Sequence, residues 1–403
     1  MVASFYGLNL IAYLLFTPIS LRANTPWATN VVSYVQGTAP APGYVYPQEA
    51  LGRPSVMTYA NSSEASPSTV VVPVYPPWEV DQLLSIGEGG SLVLEMGAEI
   101  RNDPANPYGV DFLVFGNALL SGGGSYDQTA NDPRGYTLGV PSSLSSKWGE
   151  VSVSADGITW FAFPASQRVG ALMPTLGKIW NGTAWGADSD PTLPPDPELG
   201  LSDIAGMALG ELCRRYRGGA GGTGFDLEDL LVPEGLSLPS SFRFVKIEVP
   251  DDGNAQSNRR TEIDAVTVVS PVSGFVRWQQ EHYPWVGDPV LEAAAASGEG
   301  DSFSNWQEFA RGGDPAQVEL ELPLPVLSLN TNTLHFSIPS SALEAPWILE
   351  SSSELEDDEA WVPLNPQPSY TDTPVAEGVQ RSFQPELPLS GTRLFRLRLE
   401  EAP

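Results

Sequence analysis

Residues 109–118 (GVDFLVFGNA) place four apolar side chains in a row between Asp111 and Asn117, with Gly109 and Gly116 as punctuation. The run is too short for a helix and apolar on both faces, so it predicts a strand buried in the middle of a sandwich. Shorter β-rich runs surround it at 31–36 (VVSYVQ), 69–75 (TVVVPVY), 91–96, 150–154 (EVSVS), 159–163 (TWFAF), 242–249 (FRFVKIEV) and 262–269 (EIDAVTVV). Pro73 marks the second of these as an edge strand or a bulge, because proline cannot donate to a ladder. Ala155-Asp156-Gly157 between two β-rich runs predicts a hairpin, since Asp and Gly tolerate the positive φ that its turn needs. About eight strands at this spacing predict a two-sheet, jelly-roll-like sandwich. Residues 203–216 carry near-helical spacing weakened by Gly206 and Gly210, which predicts one short helix. The Pro/Asp/Gly/Trp-rich stretch 164–202 reads as a surface excursion.

Past Ser273 the pattern changes period. Residues 275–283 and 288–296 read as helices, the second with Asp288 as N-cap and Pro289 in its first turn. Ser304 is placed to cap a third helix through Gln307, and Gly312 to end it. Runs at 333–338, 347–351, 361–364, 379–383 and 393–399 then describe a smaller β-sandwich. The chain divides into 1–23, 24–272, 273–318 and 319–403, a mainly β architecture with a short helical linker.

Thirty-nine Gly and 38 Pro suit strands joined by turns. The formal charge of -29, with lysine only at 147, 178 and 246, repels phosphates and anionic lipid, which excludes nucleic acid as a partner. Residues 5–21 are apolar and end at Leu21-Arg22-Ala23, the pattern of a secretory signal peptide, and a retained N-terminal anchor is the alternative. No later segment reaches the ~18 apolar residues of a membrane span. The expected location is therefore extracellular or at the cell surface. Cys213 is the only cysteine and His282 and His335 the only histidines, so intrachain disulfides, HExxH zinc sites and most Ser-His-Asp arrangements are excluded.

The ordered set ALG (50–52), SIGEGGSLVLEM (85–96), DFLVFGNA (111–118), WGEVSVSADGITW (148–160), GGTGFDLEDL (221–230), RFVKIEV (243–249) and EIDAVTVV (262–269) resembles a family of exported bacterial cell-surface proteins found in Verrucomicrobia, Planctomycetes and Bacteroidetes. The resemblance spans most of 31–270 and implies a discoidin or galactose-binding-like sandwich with no catalytic residues to carry over. Where that motif has Glu before Asn, this chain has Gly116. Residues 297–315 (SGEGDSFSNWQEFARGGDP) are similar to the calcium-loop segments DPDGDGLSNLLEYALGTDP of the same bacteria. On a twelve-residue loop, Glu299 falls at position 3, Asp301 at 5 and Glu308 at 12. Serines at positions 1 and 6 erode the ligand set that calcium requires. The alternative is a relic helix-loop-helix linker. The tail from 322 resembles the small β modules that follow such segments.

Three further features carry candidate chemistry. Glu262 and Asp264 alternate onto one face of the closing strand, and with Asp111 they form a candidate calcium site; pairing with Arg259 or Arg260 is the alternative. Trp180 and Trp185 flank a glycine-bearing loop and are candidates for stacking on sugar rings, or for plugging that loop onto the sandwich. Two carboxylates about 5 to 9 Å apart would suffice for a glycoside hydrolase, but no pair stands out among 49 acids. The sequence thus favours a non-catalytic binding or adhesion protein for an extracellular polysaccharide or surface component. A glycosidase or a structural surface-layer component is the alternative.

Overall fold

The computed structural model describes residues 25–62, 66–121, 125–139, 143–144, 149–170, 173–197, 199–253, 259–282, 303–314, 325, 327–330, 333–339, 345, 347–352, 361–364, 369–375, 378–383 and 394–400. The chain is mainly β. Nine strands build its principal sandwich: β1 (Ala28–Val35), β2 (Leu84–Gly87), β3 (Ser91–Ile100), β4 (Phe112–Gly116), β5 (Glu150–Ser154), β6 (Phe161–Ala162), β7 (Thr223–Phe225), β8 (Phe242–Glu248) and β9 (Arg260–Val268). They form a five-stranded sheet in the order β1-β3-β8-β5-β6 and a four-stranded sheet in the order β7-β4-β9-β2. Every pairing is antiparallel.

Alternation along each strand fills the space between the sheets. Leu92, Leu94 and Met96 of β3, Phe112 and Val114 of β4, Val151 and Val153 of β5, and Val245 and Ile247 of β8 share one buried core. Phe112 stacks on Phe225 with centroids 5.1 Å apart, and Phe163 packs edge-on to Phe225 at 4.9 Å. The remaining residues of the central run, Leu113 and Phe115, face the other way into a second cluster with Ala220, Ala265 and Val269. The four-stranded sheet is therefore buried on both faces, the physical reason for four consecutive apolar residues.

Its outer cover comes from the predicted surface excursion. Met173, Leu176 and Trp180 join Ile204, Leu209, Leu212, Cys213 and Tyr216 in a buried cluster, so the stretch is a roof with a core of its own. Gly206, at φ +76°, interrupts the expected single helix. Two short turns of helix take its place, Leu201–Ile204 and Leu209–Arg214, the second labelled α1.

β4 and β9 are joined through a bulge. Ile263 pairs with Gly116 and Ala265 with Phe115, so one residue of β9 is extra. Side-chain parity flips there: Ile263 and Val266, three apart, both face the inter-sheet core. Gly116 sits where a Cβ would lie 2.2 Å from the Glu262 carbonyl oxygen, so only glycine fits beside the bulge. The expected hairpin is present between β5 and β6. Gly157 has φ +76°, and Asp156 Oδ1 accepts from the backbone N–H groups of Ile158 and Thr159, both at 2.8 Å.

Beyond the sandwich, α2 (Gly274–His282) and α3 (Asn305–Arg311) pack Trp278, Trp306 and Phe309 together. Ser304 caps α3, its hydroxyl accepting from Gln307 N and its own N–H donating to Gln307 Oε1, and Gly312 ends it at φ +80°. The expected helix at 288–296 lies outside the described residues. The C-terminal strands make a four-stranded sheet (Ser328–Asn330, Thr333–Ile338, Gly378–Phe383, Thr371–Val375) and a three-stranded one (Val362–Pro363, Trp347–Ser352, Leu394–Leu399). Glu350, buried on the second, accepts from Arg396 at 2.7 Å and Arg398 at 2.8 Å.

Candidate functional site

The candidate acids of the sandwich are all buried, and the fold separates them. Asp111 precedes β4, where its carbonyl accepts from Val269 N at the far end of β9. Asp264 lies five residues earlier on that strand, about 16 Å away at the usual strand rise. Asp111 accepts from Asn106 Nδ2 and Leu227 N, both at 2.8 Å, tying two loops to the strand. Burial pushes its carboxyl up to about 6 against these hydrogen bonds, which pull it down. Asp264 accepts from Ser55 N at 2.8 Å and pairs with Ser55 Oγ at 3.0 Å, and burial pushes it up to about 7. Glu262 takes Arg260 Nε at 2.9 Å, the arginine pairing weighed as the alternative to a metal.

Arg259 pairs instead with Asp252, at 3.1 Å. That contact belongs to the trio Glu88, Asp251 and Asp252, whose ligand atoms lie within 4.8 Å of one another. It is the one such group among the described residues, and sequence spacing gave no hint of it. Its members are already engaged: Glu88 Oε1 accepts from Asp252 N and Asp251 Oδ1 from Gly253 N. Glu299 and Asp301 lie outside the described residues, while Glu308 is fully buried in α3.

Of the candidate aromatic pair, Trp180 is buried at 4 % exposure, against the expectation of a solvent-facing ring. Trp185 is half-buried, packs edge-on to Trp180 at 5.0 Å, and donates from Nε1 to the Asn131 carbonyl at 2.8 Å. The hairpin of Lys178–Trp180 and Trp185–Asp188 is thereby plugged onto the roof. Burial of Trp180 in the roof's own core matches the plugging alternative for this pair rather than sugar stacking.

The aromatic surface that the sequence reading missed is on the outer face of the five-stranded sheet. Register aligns Ser154, Phe244, Glu95 and Asn30 across four strands, with Trp160 just before β6 at the end of this row. The next row is Ala162, Ser152, Lys246, Val93 and Ser33. Lys246 Nζ lies 5.0 Å from the centroid of the half-buried Trp160 ring and 2.7 Å from Glu248. A cation over an indole is held by the ring's electron-rich face. Ala162, Ser33, Val35 and Glu248 keep the edges of this face exposed. Ser152, Ser154, Glu95 and Val93 in the middle of the two rows are buried, so the face offers the half-buried rings of Trp160 and Phe244 beside the Lys246 ammonium, with Glu248 and Ser33 exposed at its edges. Trp160 and Lys246 are far apart in sequence, and pairing through β5 and β8 is what unites them.

No protein-family model matches this chain, and no curated protein matches it. Among the described residues no helix is long and apolar enough to cross a membrane.

Proposed function

We propose that the chain is an exported, non-catalytic binding or adhesion protein that recognises an extracellular polysaccharide through the outer face of its five-stranded sheet. The observation that carries this reading is the row ending in Trp160, with Lys246 over the ring and Phe244 two strands away. Pyranose rings present a flat C–H face to an indole and hydroxyls to flanking charged groups, and this surface supplies both halves. The opposite sheet is sealed on both sides and has no comparable face to offer. The resemblance of 31–270 to exported bacterial surface proteins supports the same reading, as does the strongly acidic, lysine-poor surface.

A glycan-array screen of the full chain, with and without calcium, tests the proposal. Binding of at least one polysaccharide, lost in Trp160→Ala and kept in Trp185→Ala, is the expected result. Binding insensitive to Trp160 overturns the assignment to this face. Release of reducing sugar by the purified chain points instead to the glycosidase reading. A protein recovered from its native host starting at Met1 and confined to the cytosol overturns export.

A further inference from the structure

The hairpin of Lys178–Trp180 and Trp185–Asp188 turns through Asn181-Gly182, the only Asn-Gly dipeptide in the sequence. Asn181 is exposed, yet its side-chain amide is held by its own loop. Oδ1 accepts from Thr183 N at 2.9 Å, from Thr183 Oγ1 at 3.0 Å and from Ala184 N at 2.8 Å. Three donors on one atom identify it as the oxygen end of the amide. They also stand where negative charge collects if a nucleophile adds to Cγ, which is what an oxyanion hole supplies. The backbone nitrogen of Gly182 is placed in sequence to close on Cγ in a five-membered ring. Glycine has no side chain to crowd that approach. Even a Cβ built at Gly182 would meet nothing within 4 Å, so the space around the turn is open.

A second turn of the same chain serves as the contrast. Asp156 precedes Gly157 between β5 and β6, and its Oδ1 accepts from Ile158 N and Thr159 N at 2.8 Å and pairs with Ser154 Oγ at 3.0 Å. Both turns therefore direct the N–H groups of the second and third following residues at one side-chain oxygen. At Asp156 the hydrogen bonds from Thr159 and Ile158 hold the carboxyl down at about 2, so it is ionised and resists addition. An amide carries no such charge. Donors that stabilise a carboxylate in one turn stabilise, in the other, the charge that develops during addition.

We propose that Asn181 is a self-modification site: Gly182 N forms a bond to Asn181 Cγ, the bond from Cγ to Nδ2 breaks, and ammonia leaves. The proton of Gly182 N passes to water or hydroxide, and the departing nitrogen takes one up from water. The resulting succinimide is opened by a water molecule at either of its carbonyls, which gives aspartate or isoaspartate at position 181. Both products add a negative charge to the turn. Isoaspartate also lengthens the main chain by one carbon between Trp180 and Trp185, which face each other across the hairpin, and so works against the packing of Trp185 on the roof. The site shares no residue with the Trp160 face.

The test is peptide mapping by mass spectrometry of the full chain, held at mildly alkaline pH and physiological temperature, both native and denatured in concentrated urea, with isoaspartate counted by enzymatic methylation. Conversion at Asn181 is expected to run at least about tenfold faster than at Asn102, which is also exposed, and faster in the native chain than in urea. Asp156 in the native chain is expected to show no isoaspartate over the same period. Thr183→Val, at an exposed position, removes one of the three donors and should slow conversion several-fold, whereas Thr183→Ser should keep the native rate. A rate in urea equal to or above the native one overturns the proposal, because the hairpin then protects Asn181 instead of assisting its reaction. An unchanged rate in Thr183→Val overturns it too, as does conversion at Asn181 no faster than at Asn102. Glycan binding through Trp160 is read by a different assay and stands or falls separately.

Discussion

The carboxylate of Asp264 holds both the backbone N–H and the hydroxyl of Ser55, a residue more than two hundred positions earlier, and does so at 3 % exposure with no cation against it. The contact fastens the loop that follows β1 to the middle of β9. Burial without a counter-charge makes the ionised form expensive.

Stability should therefore depend on pH in the direction opposite to that of a salt-bridged acid. The folded-state values of Asp264 (about 7) and Asp111 (about 6) lie above the ordinary 3.8, so between these limits the native state holds protons that the unfolded chain releases. The stabilising contribution is full below pH 3.8 and is lost as pH rises through about 6 and about 7. Asp264→Asn can still accept from Ser55 N while donating to its hydroxyl. In urea titrations the variant should gain on the wild type by a few kcal/mol between about pH 5 and pH 8. A wild-type advantage that grows with pH would contradict the burial account.

Calcium should not act through this strand. Asp111 and Asp264 are too far apart along β9 to share an ion, and Glu262 already faces Arg260. Any change in melting temperature between millimolar calcium and chelator, at matched ionic strength, is expected to be the same in wild type and Asp264→Asn. A calcium-dependent rise abolished by that substitution would place an ion at Asp264.

Gly116 should be irreplaceable. A Cβ there meets the Glu262 carbonyl at 2.2 Å, so Gly116→Ala must force β4 and β9 apart at the bulge. The cost expected from chemical denaturation is about 1–3 kcal/mol, the range of overpacked sites. Gly116→Glu, which restores the residue of the resembling family, should fare worse. Tolerance of alanine would mean that the bulge is soft.

The inter-sheet core is centred on stacked rings. Phe225→Ala removes a fully buried ring that touches both Phe112 and Phe163 and should cost about 3–5 kcal/mol. Val32→Ala, on the exposed face of β1, should change stability by less than about 0.5 kcal/mol in the same assay.

Ser304→Ala deletes the hydroxyl half of the α3 cap and should destabilise the helix pair by about 1 kcal/mol. A double-mutant cycle with Gln307→Ala reads out whether the reciprocal bond between the two residues is energetically coupled.

Much of the strand framework is legible in sequence because each strand reports locally on its own burial. Alternation places β3, β5 and β8, and the doubled apolar run places β4. The Asp156-Gly157 turn and the Ser304 cap are short-range chemistry and are read the same way. The first strand of the C-terminal hairpin, Thr371–Val375, escapes that reading because all five of its residues are exposed and Pro374 interrupts it. The roof escapes because Met173 and Leu176, on backbone without a regular element, reach one cluster with Trp180 of a short hairpin and Tyr216 beyond α1, and no single period joins them. Candidate chemistry is the least legible. Same-face logic for Glu262 and Asp264 presumes an unbroken strand, and the bulge at Asp264 breaks the period. The Trp160 surface exists only through register, which no local pattern encodes.

The roof over the four-stranded sheet also sets a boundary for dissecting this protein. Leu113, Phe115, Ala265 and Val269 are shielded from water only by chain between the strands, so a version trimmed to its nine strands would bare an aromatic and aliphatic sheet face. Such a face invites sheet-to-sheet stacking between molecules. Minimal fragments are therefore expected to precipitate even if every strand pairs correctly. The excursion that looks most dispensable in the sequence is what covers the apolar outer face of the four-stranded sheet.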